Sequence, residues 1–464
     1  MGRSASSGGV VTLAFGLETA AQLLRTLVLA RLLPPQEFGL AVTASLLFGI
    51  VEIITMGGAE RFLIFARHGG SRRTLGVMHS IWLLRGIVAG LLVLGLAWPF
   101  AWLVGHPEAA QSFAWLALAS ALRGLAHLRT IQFQRIGRYW PDASAVIVSN
   151  LAGLGVAAAW GWWWRDHSAV VAGLVTSCAV HALVTWLWMG RIPWRPTWHR
   201  STLREALAYG LPLTGNGLAL AVLGQVDRLV VAALLGAAVL ASYSLAIMML
   251  ILPTTLISRV AVPWLQPALS AAWHVDPSGG YRLRFGAVNE ALILLALLGA
   301  CVATGLGDAV LGLVFGADYR VGDKVFALFG VAFFFRVGRV SFNLAGLAAG
   351  HTMALLRANL FAAMTLPVTA LALWLAPVLE VAACGFVLAE VVGCLAAAHA
   401  LRGGAVPHGA LVPWLALAAG ALAWGGVIVA LDPDLAFRLA GLALLIMGVA
   451  AVSWVRLRGW ITSK

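Results

Sequence analysis

Residues 10–41 read VVTLAFGLETAAQLLRTLVLARLLPPQEFGLA, and this stretch decides the fold. Its apolar part, 10–33, is long enough to cross a bilayer, because about 20 helical residues span the hydrocarbon layer. Glu18, Gln22 and Arg25 nevertheless lie within it, at positions i, i+4 and i+7, on one face of a helix. A charge in hydrocarbon costs about 2.5 kcal/mol or more. We therefore expect this face to turn towards protein or towards a water-filled cavity.

A weak copy of this stretch returns in the second half of the chain. Residues 27–34, LVLARLLP, align with residues 229–236, LVVAALLG. After a short insertion, FGLA at 38–41 aligns with YSLA at 243–246. Internal repeats of this kind are typical of transporters. The repeat also predicts that 206–235 forms one long helix, although charged residues interrupt its apolar pattern.

The composition is that of a membrane protein. Hydrophobic residues make up 61% of the chain and charged residues only 11%, with a mean hydropathy of +0.92. A soluble chain has about 25% charged residues. The sequence predicts an all-α polytopic membrane protein with about 14 transmembrane helices. The predicted spans are 10–33, 40–58, 76–104, 110–128, 143–163, 169–189, 206–235, 239–262, 285–306, 325–348, 355–376, 380–400, 410–431 and 436–456.

The loop charges predict the orientation. Loops on the N-terminal side are rich in arginine, for example Arg72, Arg73 and Arg195, whereas the opposite loops carry mainly acids, for example Glu108 and Asp318. By the positive-inside rule, both termini are expected to be cytoplasmic. The same distribution explains the net charge of +13 without nucleic acid as a partner.

Several function classes are disfavoured. The chain has only two lysines, Lys324 and Lys464, and neither belongs to a Walker A motif, so ATP bound by this chain is excluded as the energy source. The four cysteines lie inside apolar spans without metal-ligand spacing. We expect no enzyme activity, no metal and no cofactor.

Polar residues within the spans are the candidate functional residues. Arg336, Arg339 and Asn343 form a second polar stripe at i, i+3 and i+7. If two halves of the protein face each other, the intramembrane arginines would line one cavity with a positive wall. The candidate arginines are Arg25, Arg31, Arg85, Arg336 and Arg339, and the candidates for ion coupling or polar cavity lining are Glu18, Glu52, Asp227, Asn216 and Asn343.

Structural alternatives remain open for several intramembrane residues. Glu18 and Arg25 are spaced to form a simple ion pair, and Arg123 is expected to snorkel towards the interface. Glu390 and His181 are central in their spans and are alternative sites for a proton-linked role.

Three motifs carry a family resemblance. RLLPPQEFG at 31–39 matches the pattern R-x-L-x-P-x-E-F/Y-G, Asp227 precedes the apolar run that ends in LLG at 236, and LVFGADY at 313–319 matches L-x-F-G-x-x-Y. In these features the chain resembles the Wzx-type polysaccharide flippases. That family belongs to a superfamily that also contains multidrug exporters and the lipid II flippase.

The resemblance implies two pseudo-symmetric six-helix bundles around a central cavity, with alternating access and a C-terminal helix pair outside. We place the boundary in the Arg- and Trp-rich connection 190–205. The expected parts are 1–195, 196–402 and 403–464.

The resemblance also implies the cargo, an undecaprenyl-diphosphate-linked oligosaccharide carried from the inner to the outer leaflet. Arginine suits a diphosphate because its planar fork offers paired donors. Arg25, Arg31, Arg85, Arg336 and Arg339 are then the expected diphosphate ligands, with proton or sodium coupling open. Membrane lipids, a polysaccharide polymerase and chain-length proteins are the partners that this role implies. A multidrug-type exporter of cations and a lipid II flippase remain the alternatives.

Overall fold

The computed structural model describes the backbone of residues 2–55, 62–64, 66–190, 195–407, 410–431 and 438. It describes the side chains of the same residues except 2–15, 211–223, 260, 263, 416, 419 and 421. The described chain is helical apart from loops, two short 3₁₀ turns and an isolated bridge between Arg402 and Val406. This confirms the predicted all-α fold.

The chain divides into two compact units, unit 1 (Met1–Ala241) and unit 2 (Ser242–Lys464). The helices that begin in unit 1 are α1 Gly2–Leu32, α2 Pro35–Thr55, α3 Arg72–Leu103, α4 Ala110–Ala114, α5 Leu116–Gly124, α6 Arg129–Arg135, α7 Trp140–Trp164, α8 Ser168–Leu187, α9 Arg200–Leu235 and α10 Ala237–Val275. Those of unit 2 are α11 Gly280–Phe315, α12 Asp323–Ala348, α13 Thr352–Ala363, α14 Thr365–Leu375, α15 Leu379–Ala400 and α16 Val412–Leu431. The predicted boundaries at 195 and 402 separate helix bundles and not compact units, so the predicted division stays a prediction.

Helices occupy the described parts of the predicted spans from the first to the thirteenth, while 436–456 lies outside the described residues except for Arg438. Within the described part, nine helical segments are long and apolar enough to cross a membrane. The count of 14 therefore stays a prediction. The stretch 206–235 lies within the single helix α9, as the repeat predicts.

Two predicted spans are interrupted. The span 355–376 is divided at Met364, where α13 ends and α14 begins. Pro367 explains this break, because its ring has no N–H and clashes with the carbonyl four residues earlier. The span 110–128 is divided at Trp115. The sequence shows no proline that explains this second break.

The motif at 31–39 contacts several helices of unit 1. Gly39 on α2 lies against the backbone of Ala237, and a Cβ atom at position 39 would lie 1.8 Å from the Ala237 carbonyl oxygen. Only glycine permits this approach. Glu37 accepts hydrogen bonds from the backbone N–H of His167 at 2.9 Å and pairs with Nδ1 of the same ring at 2.7 Å. Ser112 Oγ lies 2.8 Å from His167 Nε2, so one hydrogen-bonded chain joins α2, α4 and the start of α8.

Helix α12 is the centre of unit 2 and packs against α11, α15 and α16. A buried polar junction fixes three of these helices. The Asn289 side-chain oxygen on α11 accepts hydrogen bonds from Ser341 Oγ on α12 at 2.7 Å and from Trp414 Nε1 on α16 at 3.0 Å. The orientation of the polar stripe on α12 is therefore set by contacts on its other faces.

Candidate functional site

Glu390 on α15 holds two arginines of α12 in unit 2. Its Oε1 lies 2.5 Å from Arg336 Nη1, and its Oε2 lies 3.2 Å from Arg339 Nη1. Arg336 Nε also donates to Thr254 Oγ1 on α10 at 3.1 Å, and Arg339 Nη2 donates to Asn359 Oδ1 on α13 at 2.6 Å. Four helices thus fix the direction of the two guanidinium groups.

These groups border a cavity of about 610 Å³ within unit 2. Its charged lining residues are Arg259, Arg336, Arg339 and Glu390. The other lining residues are mostly hydroxyl- or amide-bearing and comprise Thr254, Thr255, Ser258, Val262, Val340, Asn343 and Asn359. Three cations and one anion leave the wall with a formal charge of +2.

The helical period explains why α12 presents this face. Arg336, Arg339 and Asn343 are spaced i, i+3 and i+7 and all line the cavity, as the sequence stripe predicts. The remaining faces of α12 are covered, with Phe334 and Phe342 fully buried. Burying the apolar faces directs the polar stripe into the cavity.

Unit 1 contains a second cluster of one acid and two arginines. Glu52 on α2 forms an ion pair with Arg85 on α3, and its Oε2 lies 3.3 Å from Arg123 Nη1 on α5. The Arg85 guanidinium also lies over the ring of Trp82, 4.5 Å from its centroid. Arg123, which the sequence predicts to snorkel towards the interface, is 38% exposed and also pairs with Glu52.

Further polar groups surround the Glu52 cluster. The Cys178 thiol on α8 lies within electrostatic reach of Arg25, Glu52, Arg85 and Arg123. Arg25, Arg85 and Glu52 therefore lie in one region of unit 1, and their role as cavity residues stays a prediction. The structure adds Arg123 and Cys178, which the sequence did not single out as members.

The other predicted residues are more scattered. Arg31 at the end of α1 is exposed, and Glu18 accepts a hydrogen bond from Gln22 Nε2 at 3.4 Å. Among the described residues, Glu18 and Arg25 form no ion pair with each other. Asp227 is half-buried on α9, and the side chain of Asn216 lies outside the described residues.

Sequence reasoning missed the role of Glu390 as the partner of both α12 arginines. The available signal was that Glu390 is central in an otherwise apolar span, and a buried acid needs a cation. Thr254, Ser258 and Asn359 gave no signal, because single hydroxyl and amide groups are common in transmembrane helices.

Three solved structures share this fold. A lipid II flippase, MurJ, in an inward closed conformation has a TM-score of 0.71 and 12% identity, with 96% of this chain and 99% of that chain covered. An inward-facing multidrug resistance MATE family transporter of the MOP superfamily has a TM-score of 0.59 and 13% identity, covering 88% and 95%. A MOP superfamily transporter from Pyrococcus furiosus, with a binding pocket described as reversed in polarity, has a TM-score of 0.50 and 15% identity, covering 93% and 96%.

The likenesses to solved structures establish the fold of a MOP superfamily transporter. No curated protein matches the sequence. The profile of a polysaccharide biosynthesis protein family matches residues 28–319, which is more than half of the chain. This match includes the motif at 31–39 and the Glu52, Arg85 and Arg123 cluster of unit 1. The chain therefore belongs to the polysaccharide biosynthesis protein family and has the fold of MurJ and the MATE proteins.

Proposed function

We propose that this protein is a flippase that moves an undecaprenyl-diphosphate-linked oligosaccharide from the inner to the outer leaflet. The observation that carries the proposal is the cavity of unit 2, where Arg259, Arg336 and Arg339 oppose a single acid, Glu390. Its formal charge of +2 balances a diphosphate. The family and the fold support a transporter of this kind.

Glu390 keeps the two α12 guanidinium groups in position before the cargo arrives. A diphosphate then replaces the carboxylate and accepts the N–H donors of Arg336 and Arg339 in paired hydrogen bonds. The hydroxyl and amide groups of Thr255, Ser258 and Asn343 line the same cavity and suit sugar hydroxyls. The expected cargo therefore finds groups for its charged part and its polar part within one unit.

The clusters favour an anionic cargo over a cationic drug. Glu52 and Glu390 are each paired with two arginines, so both acids are already neutralised. A cation at either site would meet an excess of positive charge. A multidrug-type exporter of cations is therefore the weaker candidate, and nothing in the described residues favours lipid II over another lipid-linked glycan.

The energetics of export permit, but do not require, ion coupling. A membrane potential of 100 mV contributes about 2.3 kcal/mol per charge, and it favours outward movement of two negative charges when the inside is negative. Proton or sodium coupling through Glu18 or Glu52 stays part of the proposal. A location in the bacterial inner membrane, with both termini cytoplasmic, is also part of the proposal. A polysaccharide polymerase and chain-length proteins are the proposed partners. The proposal needs no bound cofactor.

Flipping of a polyprenyl-diphosphate oligosaccharide in proteoliposomes tests the proposal. Wild-type protein is expected to move the labelled lipid across the bilayer, and Arg336→Ala and Arg339→Ala are expected to lose this activity. Arg402→Ala is the matched control, because Arg402 is exposed in unit 2 and is absent from the described cavity wall. Wild-type flipping by both cavity variants would contradict the proposal.

A further inference from the structure

The segment 195–199, which leads into α9, is docked on the first turns of α3. The backbone N–H of Thr197 donates to the carbonyl of Gly76 at 3.1 Å, and Ser80 Oγ donates to the carbonyl of Thr197 at 2.8 Å. A Cβ atom at position 76 would lie 2.5 Å from Thr197 Oγ1 and 3.0 Å from the Arg195 carbonyl oxygen. Glycine at this position permits the close approach, so the docking is a specific contact.

The docked segment and α3 enclose a second cavity, of about 540 Å³, at the end of α3. Its polar lining residues include Arg72, Arg73, Arg195, Thr197 and His199. Arg73 Nη2 lies 2.5 Å from His199 Nδ1, so one guanidinium group is directed towards the ring. We call this the α3 basic cavity.

The α3 basic cavity differs from both Arg–Glu clusters because no acid is among its described lining residues. Its three arginines give a formal charge of +3 with the histidines neutral. Like charges at this spacing repel one another, and an anion between them removes that cost. Phosphate is an anion whose oxygens match the paired donors of the arginine fork.

The position of the cavity indicates the source of the phosphate. Helix α3 is a candidate membrane span that begins at Arg72, so the cavity lies where a spanning helix ends. Trp198 in its wall is 65% exposed, and exposed tryptophans concentrate at the membrane interface. Juxtamembrane arginines at this depth attract anionic lipids.

We propose that the α3 basic cavity binds the phosphate headgroup of an anionic membrane lipid, with Arg72, Arg73 and Arg195 as its ligands. The bound headgroup bridges α3 and segment 195–199 and so fixes the segment that leads into α9. This site is separate from the cavity of unit 2 and does not rest on the identity of the transported cargo.

Thermal unfolding of the purified full chain in detergent tests the site. Phosphatidylglycerol added to the micelles is expected to raise Tm, and the same mole fraction of phosphatidylcholine is not. Each Arg→Gln change at Arg72, Arg73 or Arg195 is expected to weaken the apparent lipid affinity about fivefold. Arg138→Gln is the matched control, because Arg138 is an exposed loop arginine outside the described cavity wall.

Each variant is first unfolded without added lipid, and only variants with the wild-type Tm are compared. Because Arg72, Arg73 and Arg195 are all exposed, the single variants are expected to keep the wild-type Tm without lipid. An undiminished response to phosphatidylglycerol in all three variants would overturn the proposal. Equal stabilisation by inorganic phosphate at the same concentration would assign the cavity to a free anion and would overturn the lipid assignment. If Arg138→Gln loses the Tm response to phosphatidylglycerol to the same extent, general surface charge explains the response and the proposal is overturned.

Discussion

The Glu52 cluster of unit 1 and the Glu390 cluster of unit 2 have the same composition and different access to solvent. In unit 1 the side chains of Arg85 and Glu52 are only 6% and 9% exposed, and Arg123, at 38%, is the exposed member of the cluster. In unit 2 the Glu390 side chain is as buried, at 5%, but Arg336 and Arg339 are 29% and 19% exposed at the wall of a cavity.

This difference separates two uses of an intramembrane arginine. A guanidinium group enclosed with its acid stabilises the packing of helices, because removing either partner strands a charge. A guanidinium group that meets its acid on one side and a cavity on the other keeps donors for a second anion. Enclosure of the Arg85–Glu52 pair, and not the number of charges, distinguishes the two clusters.

The largest expected effect comes from breaking the unit 1 cluster. Glu52→Gln leaves Arg85 buried without its carboxylate, and we expect a loss of about 3 kcal/mol in the free energy of unfolding. The corresponding loss of Tm and of folded yield in detergent measures it. The double variant Glu52→Gln/Arg85→Met should recover much of the loss, because the stranded charge is gone. A Glu52→Gln protein as stable as the wild type would remove the structural role of this cluster.

The next effect is on transport by unit 2. Arg336→Ala and Arg339→Ala are each expected to lower the rate of lipid flipping at least about tenfold, the loss of one charge-assisted hydrogen bond. Their Tm should fall less than that of Glu52→Gln, because both side chains are already part-exposed. Measuring the flipping rate and Tm on the same preparations separates a loss of transport from a loss of stability. A Tm loss as large as that of Glu52→Gln, together with a flipping rate near the wild-type value, would assign these arginines the structural role of the unit 1 cluster.

A smaller effect sharpens the contrast in access. Ser258 lines the unit 2 cavity, whereas Ser120 on α5, one turn before Arg123, is 1% exposed. In a Cys384→Ser background, which removes the exposed native thiol, Ser258→Cys should react severalfold faster than Ser120→Cys with a negatively charged methanethiosulfonate. Mass spectrometry of the labelled protein measures both rates. Equal rates would show that the two regions have the same access to water.

The spans and the α12 stripe were predictable because both depend on local periodicity. Hydropathy over about 20 residues locates a span, and the i, i+3, i+7 spacing places Arg336, Arg339 and Asn343 on one face. The pairing of these arginines with Glu390 was not predictable, since it depends on which helices become neighbours. Arg123 shows the same limit, because its sequence position indicates the interface and only the packing of α2 against α5 brings it to Glu52.

The smallest expected effect concerns two loop carboxylates, Asp276 and Glu108, which belong to neither Arg–Glu cluster. Asp276 accepts hydrogen bonds from the backbone N–H groups of Gly280 and Gly279, at 2.7 and 2.9 Å, and these hold its pKa below the ordinary value. The backbone N–H of Glu108 and the side chain of His106 likewise lower the pKa of Glu108. A lowered folded-state pKa gives stability that is present above the unfolded-state pKa of about 4 and is lost only as the pH falls through the folded-state value.

Both loop carboxylates are therefore ionised between about pH 5 and 8, where neither changes charge. We expect Asp276→Asn to leave the pH profile of lipid flipping unchanged over that range. The variant should lack the stability that the ionised carboxylate contributes above about pH 4, so its Tm should lie slightly below the wild-type Tm there. The two Tm values should converge in stronger acid, where the wild-type carboxylate takes up a proton. Flipping rates measured over the neutral range, and Tm values measured from that range into stronger acid, test both statements. A shifted profile in Asp276→Asn would contradict the expectation that this carboxylate keeps its charge over that range.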